Sequence, residues 1–299
     1  MSSTSDAAMT TKDLERLLSA QRAKLHRYCA RMVGSAIDGE DVLQDAVMKA
    51  LEAFKTTGVI ANPEAWMFRI AHNTALDFLR RRARSEDLHA ADEVDMIADP
   101  LDEIDNRQIA AASLRTFMRL PVTQRSSVIL MDVLGCSLQE LCQVIDLSLP
   151  AAKAALHRGR ARLRELANEP DEAPQPQLAP ADRERLAAYV ARFNAREFET
   201  IRGMLADDVR LELVNRLKWQ GKAAVSRYFG NYAAATDWRL VPGLVESRPA
   251  ILVFDPREPS SRPTYFMLLD WAGGQVGAIR DFRYAAYAIE SAQWIALPG

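Results

Sequence analysis

Between residues 168 and 180 the chain reads NEPDEAPQPQLAP, with prolines at 170, 174, 176 and 180. Proline offers no N–H to a helix or a sheet ladder and biases the residue before it toward extended conformations. The stretch therefore reads as a semi-stiff spacer of residues 168–180. Before it, apolar residues recur at helical spacing; after it, they come in short alternating or continuous runs. A change of period across a proline spacer implies two differently built parts on one chain. The 299 residues are enough for two or three domains, each with its own core.

The first part divides again. A polar tail, residues 1–11, is expected to be disordered. From Lys12 to Val33 the pattern has helical period and Gly34 follows as a stop. A second helix is predicted from about Gly39 to Lys55, then the loop TTGVIANP, then a third helix with Pro63 in its first turn. These three helices make a domain over residues 12–85. Between Glu86 and Asp105 there are nine acidic residues and no Lys or Arg, so residues 86–102 read as an acidic linker.

A second helical domain is predicted over residues 103–167. Ser137 and Glu140 have capping-box spacing, and Leu138, Leu141 and Ile145 form the buried side of the helix they open. The turn DLS follows, and Ser148 caps a longer basic helix. A short capped helix, a tight turn and a basic helix form the helix-turn-helix pattern, although a plain helical hairpin with a solvated basic face fits as well. On the wheel Leu149, Ala152, Leu156 and Leu163 face inward, while Lys153, Ala154, His157 and Arg158 face outward.

The third helix carries the most specific surface. Met67, Ile70, Ala71, Thr74, Ala75 and Phe78 form its apolar stripe. Trp66, Arg69, Asn73, Asp77 and Arg80 share the opposite side, and Arg81, Arg82 and Arg84 follow. A flat ring, an amide and guanidinium groups on one face suit the gripping of an unstacked nucleic-acid strand; one half-buried tryptophan beside a solvated arginine tail is the plainer alternative. The net charge of −2 argues against nucleic acid only as an average, because the cations are segregated into RRRAR at 80–84 and HRGRARLR at 157–164. Cys29, Cys136 and Cys142 form no CxxC pair, so no disulfide framework, metal site or cofactor is expected. No apolar run reaches membrane-spanning length and the N-terminus lacks a signal-peptide core, so a cytoplasmic protein without membrane contact is expected.

Three stretches carry a family likeness: DGEDVLQDAVMKAL, NPEAWMFRIAHNTALDFLRRRAR and LPVTQRSSVILMDVLGCSLQELCQVIDLSLPAAKAALHRGRARLR. They resemble regions 2 and 4 of bacterial RNA polymerase sigma factors of the extracytoplasmic-function class of the sigma-70 family, over about residues 12–166. The resemblance implies promoter DNA and core RNA polymerase as partners, the latter through its β′ clamp helices and β flap. It places Asp38, Glu40, Asp41, Gln44 and Asp45 on the polymerase. It places Trp66, Arg69, Asn73, Asp77, Arg80, Arg81, Arg82 and Arg84 on the −10 element as the duplex opens, with Asn73 holding a flipped base. It places Lys153, Ala154, His157, Arg158 and Arg162 on the −35 element. One departure stands out: Ala154 and Ala155 occupy positions where the family often has serine and arginine, so base reading has fewer hydrogen-bonding groups.

After the spacer, helices near 181–198 and 199–206 precede the strand-like runs DVRLELV, WRLVPGLVES, AILVFD, TYFMLLDW and QVGAIRDFRYAAY, with Gly273–Gly274 as a hairpin signal between the last two. The order predicts an α+β domain over residues 181–299 with a curved antiparallel sheet. It resembles a SnoaL/NTF2-like cone, an extension that some sigma factors of this class carry. None of the four histidines (26, 72, 89, 157) lies in it, and Asp207, Asp208, Asp237, Asp255, Asp270 and Asp281 form no catalytic pattern, so no enzyme is expected. The whole is a multidomain chain, two all-α sigma domains followed by the cone. The expected function is a sigma factor regulated in cis by intramolecular contact with the C-terminal domain. The alternatives are a stand-alone helix-turn-helix regulator, or an enzyme or ligand sensor acting through the cone.

Overall fold

The computed structural model describes residues 9–85, 112–167, 169, 177–258 and 262–298. The chain forms two compact units, Met1–Asp171 and Glu172–Gly299. The predicted acidic linker at 86–102, the start of the second helical set and most of the proline spacer lie outside the described residues.

In the first unit, α1 (Thr11–Val33) opens with a reciprocal capping box between Thr10 and Asp13 and stops at Gly34, which is left-handed at φ 81°. The described end of the predicted tail, residues 9–11, is thus the ordered start of a helix. Ser35 caps α2 (Ala36–Phe54), three residues earlier than expected. The Asn62 side-chain Oδ1 accepts from Ala65 N–H (3.1 Å) and caps the start of α3 (Pro63–Ser85). Then come α4 (Leu114–Met118) and α5 (Val122–Val128), which continues as a π-helical turn, Ile129–Val133. The capping box of Ser137 and Glu140 opens α6 (Leu138–Ile145), Asp146 ends it in the left-handed region, and α7 (Leu149–Ala167) follows the turn.

The two helical sets are not separate. Leu25, Tyr28, Met32 and Phe68 share one hydrophobic core with Phe117, Val128, Leu141 and Leu156. Arg125 of α5 fastens the join. Its guanidinium donates to the carbonyl of Met32 on α1 (2.6 Å) and to those of Met118 (3.2 Å) and Leu120 (2.9 Å). Sequence periodicity separates the sets because a buried leucine reads alike whether its partner lies in its own set or in the other.

In the second unit Pro180, assigned to the spacer by sequence, is the first residue of α8 (Pro180–Asn194); α9 (Phe198–Gly203) follows. Then come β1 (Leu205–Leu213), β2 (Leu217–Gln220), α10 (Lys222–Ser226), α11 (Tyr228–Ala234), β3 (Arg239–Val245), β4 (Arg248–Phe254), β5 (Tyr265–Ala272), β6 (Gln275–Asp281), a 3-10 turn (Arg283–Ala285), α12 (Ala288–Ser291) and β7 (Trp294–Ala296). The sheet order is β2-β1-β6-β5-β4-β3-β7. It is mixed rather than antiparallel throughout, because β1 pairs with β6 in parallel after the β3–β4–β5 meander intervenes. Gly273 and Gly274 make the β5–β6 turn at φ 59° and 85°, as predicted. Leu186, Tyr189 and Phe193 of α8 pack in one core with Ile251, Met267 and Ile279 of the sheet, an α+β unit of helices against a sheet.

Candidate nucleic-acid interface

Arg69, Asn73, Asp77 and Arg80 are exposed at three- and four-residue spacing on α3 and form one surface row. Trp66 is half-buried against the core, so its ring borders the row rather than projecting from it. The azimuth of the helix is fixed from beneath. His72 is buried, with Nδ1 2.7 Å from the Tyr28 hydroxyl, and burial pushes its pKa down to about 4. A neutral His72 anchored on α1 turns the adjacent Asn73 outward. The row is partly engaged by the helix-turn-helix. Arg69 lies 3.5 Å from the Asp146 carboxylate and the Asn62 amide 3.5 Å from Gln143, so α6 rests beside the N-terminal half of α3.

The arginine run splits. Arg82 is half-buried, donates to the Val33 carbonyl (3.0 Å) and lies over the Phe78 ring. It completes the end of α1 rather than projecting with its neighbours, because its position on the wheel falls toward α1. Arg80, Arg81 and Arg84 remain outside and line a groove of about 440 Å³ with Asp45, Lys49 and Asp77. Asp77 is 3.4 Å from both Lys49 and Arg80, and Asp45 is 3.9 Å from Arg81. These exposed pairs are weak, so phosphate oxygens compete for the cations at little cost.

On α2 the five residues implied as polymerase contacts also divide. Asp41 and Asp45 are exposed, and Met48, on the same side at the next turn, is 68% exposed. Gln44 is half-buried, and Asp38 sits in the first turn, its N–H donating to Ser35 Oγ (3.0 Å). Glu40 is fully buried, and Arg22 donates to its carboxylate at 2.8 Å. That carboxylate is a structural ion pair between α1 and α2, and the surface role expected for Glu40 is corrected to this one. Sequence position alone hid it, because the N-terminal turn of a helix attracts acids on every side.

On α7 Lys153 is exposed and Ala154, His157, Arg158 and Arg162 are half-exposed, with Arg162 2.7 Å from Glu165. Of the two alanines that depart from the family pattern, Ala155 is buried and only Ala154 reaches the outer face of the helix. Leu149, expected inside, is 46% exposed, since it opens the helix before any turn of the chain covers it. Arg160 faces the other way. It grips Asp132 in the π-helical turn with two bonds, 3.0 and 2.5 Å, and sets α7 against the end of α5.

The second unit holds a buried cluster that sequence reading missed. The Asp281 carboxylate accepts from the Tyr228 and Tyr232 hydroxyls (2.8 Å each) and from Arg283 N–H (2.8 Å), and Tyr265 Oη is 3.0 Å from Tyr232 Oη. Burial raises the Asp281 pKa against these donors. In sequence Asp281 is an aspartate ending a strand and Tyr265 lies in another expected strand, but Tyr228 and Tyr232 come from α11, a helix that periodicity does not reveal.

Residues 17–85 match the family described as Sigma-70 region 2, and residues 114–163 the family described as Sigma-70, region 4. The chain is 30% identical over 152 residues to the ECF RNA polymerase sigma factor SigM of Mycobacterium tuberculosis, covering 51% of this chain and 76% of that protein. It is 25% identical over 290 residues to the ECF RNA polymerase sigma factor SigG of the same organism, covering 87% of this chain and 78% of that one. Among solved structures it is similar to the extracytoplasmic function sigma factor SigJ of Mycobacterium tuberculosis, with TM-score 0.35 and 18% identity over 89% of this chain and 95% of that one. The chain therefore belongs to the extracytoplasmic-function class of RNA polymerase sigma factors.

Proposed function

We propose that this sigma factor opens and reads promoter DNA with two surfaces, docks on core polymerase with a third, and is regulated in cis by its second unit. The outer row of α3 takes the opened −10 strand: Asn73 hydrogen-bonds a base edge, Trp66 stacks at the border, and Arg69, Arg80, Arg81 and Arg84 take phosphates. The exposed acids of α2, Asp41 and Asp45, meet the β′ clamp helices of the polymerase, where they steer toward a basic partner. The outer side of α7 meets the −35 element through Lys153, Ala154, His157, Arg158 and Arg162, while the helix-turn-helix region docks on the β flap. The observation that carries the reading is the exposed Asn73 on a helix whose rotation is locked by the buried His72–Tyr28 contact. The test is transcription by reconstituted holoenzyme on promoters in which single −10 bases are swapped. Asn73→Ala is expected to lose discrimination at one position while core polymerase affinity holds. Unchanged discrimination at every position refutes the base-reading role.

A further inference from the structure

The first two turns of α7 present a surface with few hydrogen-bonding groups. Leu149, Pro150 and Ala151 are exposed and Ala154 is half-exposed, while Ala152, Ala155 and Leu156 are buried. At 100° per residue, Pro150, Ala154 and His157 run down the centre of the exposed face. Leu149 and Lys153 lie on one flank and Arg158 on the other. A single exposed leucine is ordinary. Here it adjoins the exposed Pro150, Ala154 follows Pro150 one turn along the same face, and the patch sits where a helix-turn-helix places its second helix against base edges, at the N-terminal end.

The chemistry of that patch restricts what it can read. In the major groove thymine alone carries a methyl group, and cytosine N4 and adenine N6 offer donors that need an acceptor. Lys153 and Arg158 only donate, so they address acceptors such as guanine O6 and N7 or phosphates. Leu149, Pro150, Ala151 and Ala154 carry no side-chain acceptor; the Ser148 hydroxyl beside them accepts from Ala151 N–H (3.4 Å) in capping the helix, and His157 lies a turn further along. The remaining complement of the tip is an apolar group held near a polyanion, with cations on both flanks.

We propose that the apolar tip of α7, Leu149 with Ala154, is a specificity-determining surface that seats thymine 5-methyl groups of the −35 element. The proposal rests on the promoter-reading function proposed above and names what one part of it recognises. Discrimination at the tip then comes from methyl burial, and Lys153 and Arg158 supply orientation and affinity.

The test uses holoenzyme assembled from the full chain and core polymerase. It selects a −35 duplex from a randomised pool, and each thymine of that duplex is then replaced by deoxyuridine, which removes the methyl group alone. Wild-type holoenzyme is expected to lose about four-fold in affinity at one or two positions, the value of one buried methyl. Leu149→Ala is expected to bind the thymine duplex more weakly at those positions and to treat thymine and uracil alike. Because Leu149 is exposed, unchanged circular dichroism and core affinity confirm that the variant is folded. The proposal is overturned if wild type tolerates uracil everywhere, or if Leu149→Ala keeps the full preference for thymine. It is also overturned if Leu149→Ala weakens core binding with no methyl effect, which assigns the tip to the polymerase. Selection of no −35 sequence by wild-type holoenzyme refutes the promoter-reading function itself, a different result from a selected site without methyl dependence.

Discussion

Asn73 and His72 are neighbours in sequence and opposites in environment, and each supports a separate prediction. Asn73 is exposed, so Asn73→Ala leaves the fold intact, and its loss of one base-edge contact costs about 1–3 kcal/mol in promoter opening. Run-off transcription on matched and base-swapped −10 elements checks this. His72 is buried, with a pKa of about 4 against an ordinary value of about 6.5. The unfolded chain therefore binds more protons than the folded one between these values. Stability from this group is complete above pH ~6.5 and is lost as pH falls through the folded pKa, a total of about 3 kcal/mol. The variant His72→Gln keeps an acceptor for the Tyr28 hydroxyl but has no proton to gain. Denaturant unfolding of the helical unit from pH 7 to pH 4 is expected to show a smaller acid loss in the variant; parallel curves contradict the buried neutral histidine. At this scale the sequence made Asn73, Arg69 and Arg80 legible, because an exposed row follows from helical period alone. Glu40 and Arg82 were not legible. Their side chains turn inward to partners on α1, Arg22 and the Val33 carbonyl, which no local spacing reveals.

Among the elements, α7 is held by more than its apolar side. Gly159 lies in its middle, and a Cβ there would stand 2.7 Å from Val128 Cγ2 and 3.0 Å from the Gln124 carbonyl oxygen. The missing side chain lets α5 and α7 approach closely, and the Arg160–Asp132 pair closes the same contact beside the π-helical turn. In an open helix, glycine to alanine stabilises by about 1 kcal/mol. Here Gly159→Ala is expected to destabilise by about 1–3 kcal/mol, the usual penalty of overpacking. Urea unfolding gives the sign directly, and a gain in stability refutes the close packing. The capping box at Ser137 and Glu140 made that helix start legible, while the one at Thr10 and Asp13 was lost in a stretch whose polar composition reads as a tail. Other elements left no such mark. The β3–β4 turn uses Glu246 and Ser247 at φ 50° and 68°, without the Gly or Asn that usually announces it. β2, α10, α11 and β7 are too short for periodicity to separate from loop, and the parallel pairing of β1 with β6 is a long-range contact that no window contains.

On the scale of the whole chain the two units offer different kinds of control. In the helical unit the Arg125 bonds to α1 and the Arg69–Asp146 approach join α3 and the helix-turn-helix to one packed body, so the surfaces proposed for the −10 and −35 elements share it. Binding to promoter DNA by the isolated protein is accordingly expected to be weak and to fall steeply with salt, since it rests on phosphate contacts. A nanomolar sequence-specific gel shift without polymerase at physiological salt contradicts this. The second unit bears on availability. It shares one chain with the helical unit, with twelve residues, 168–179, between the end of α7 and the start of α8. Short tethers give local concentrations on the order of millimolar, so even a weak affinity between units is populated. Among the described residues, the hydrophobic core of each unit draws on its own residues, residues 14–166 in the helical unit and residues 186–279 in the second. A chain ending at Asp171, the boundary between the units, is therefore expected to fold and to bind core polymerase. Its transcription is expected to differ several-fold from that of the full chain, and residues 172–299 added in trans at high concentration are expected to move it back toward the full-chain level. The sign of the difference tells whether the second unit restrains or assists polymerase docking. Equal transcription by the two chains, together with no binding between the separated units, refutes regulation in cis.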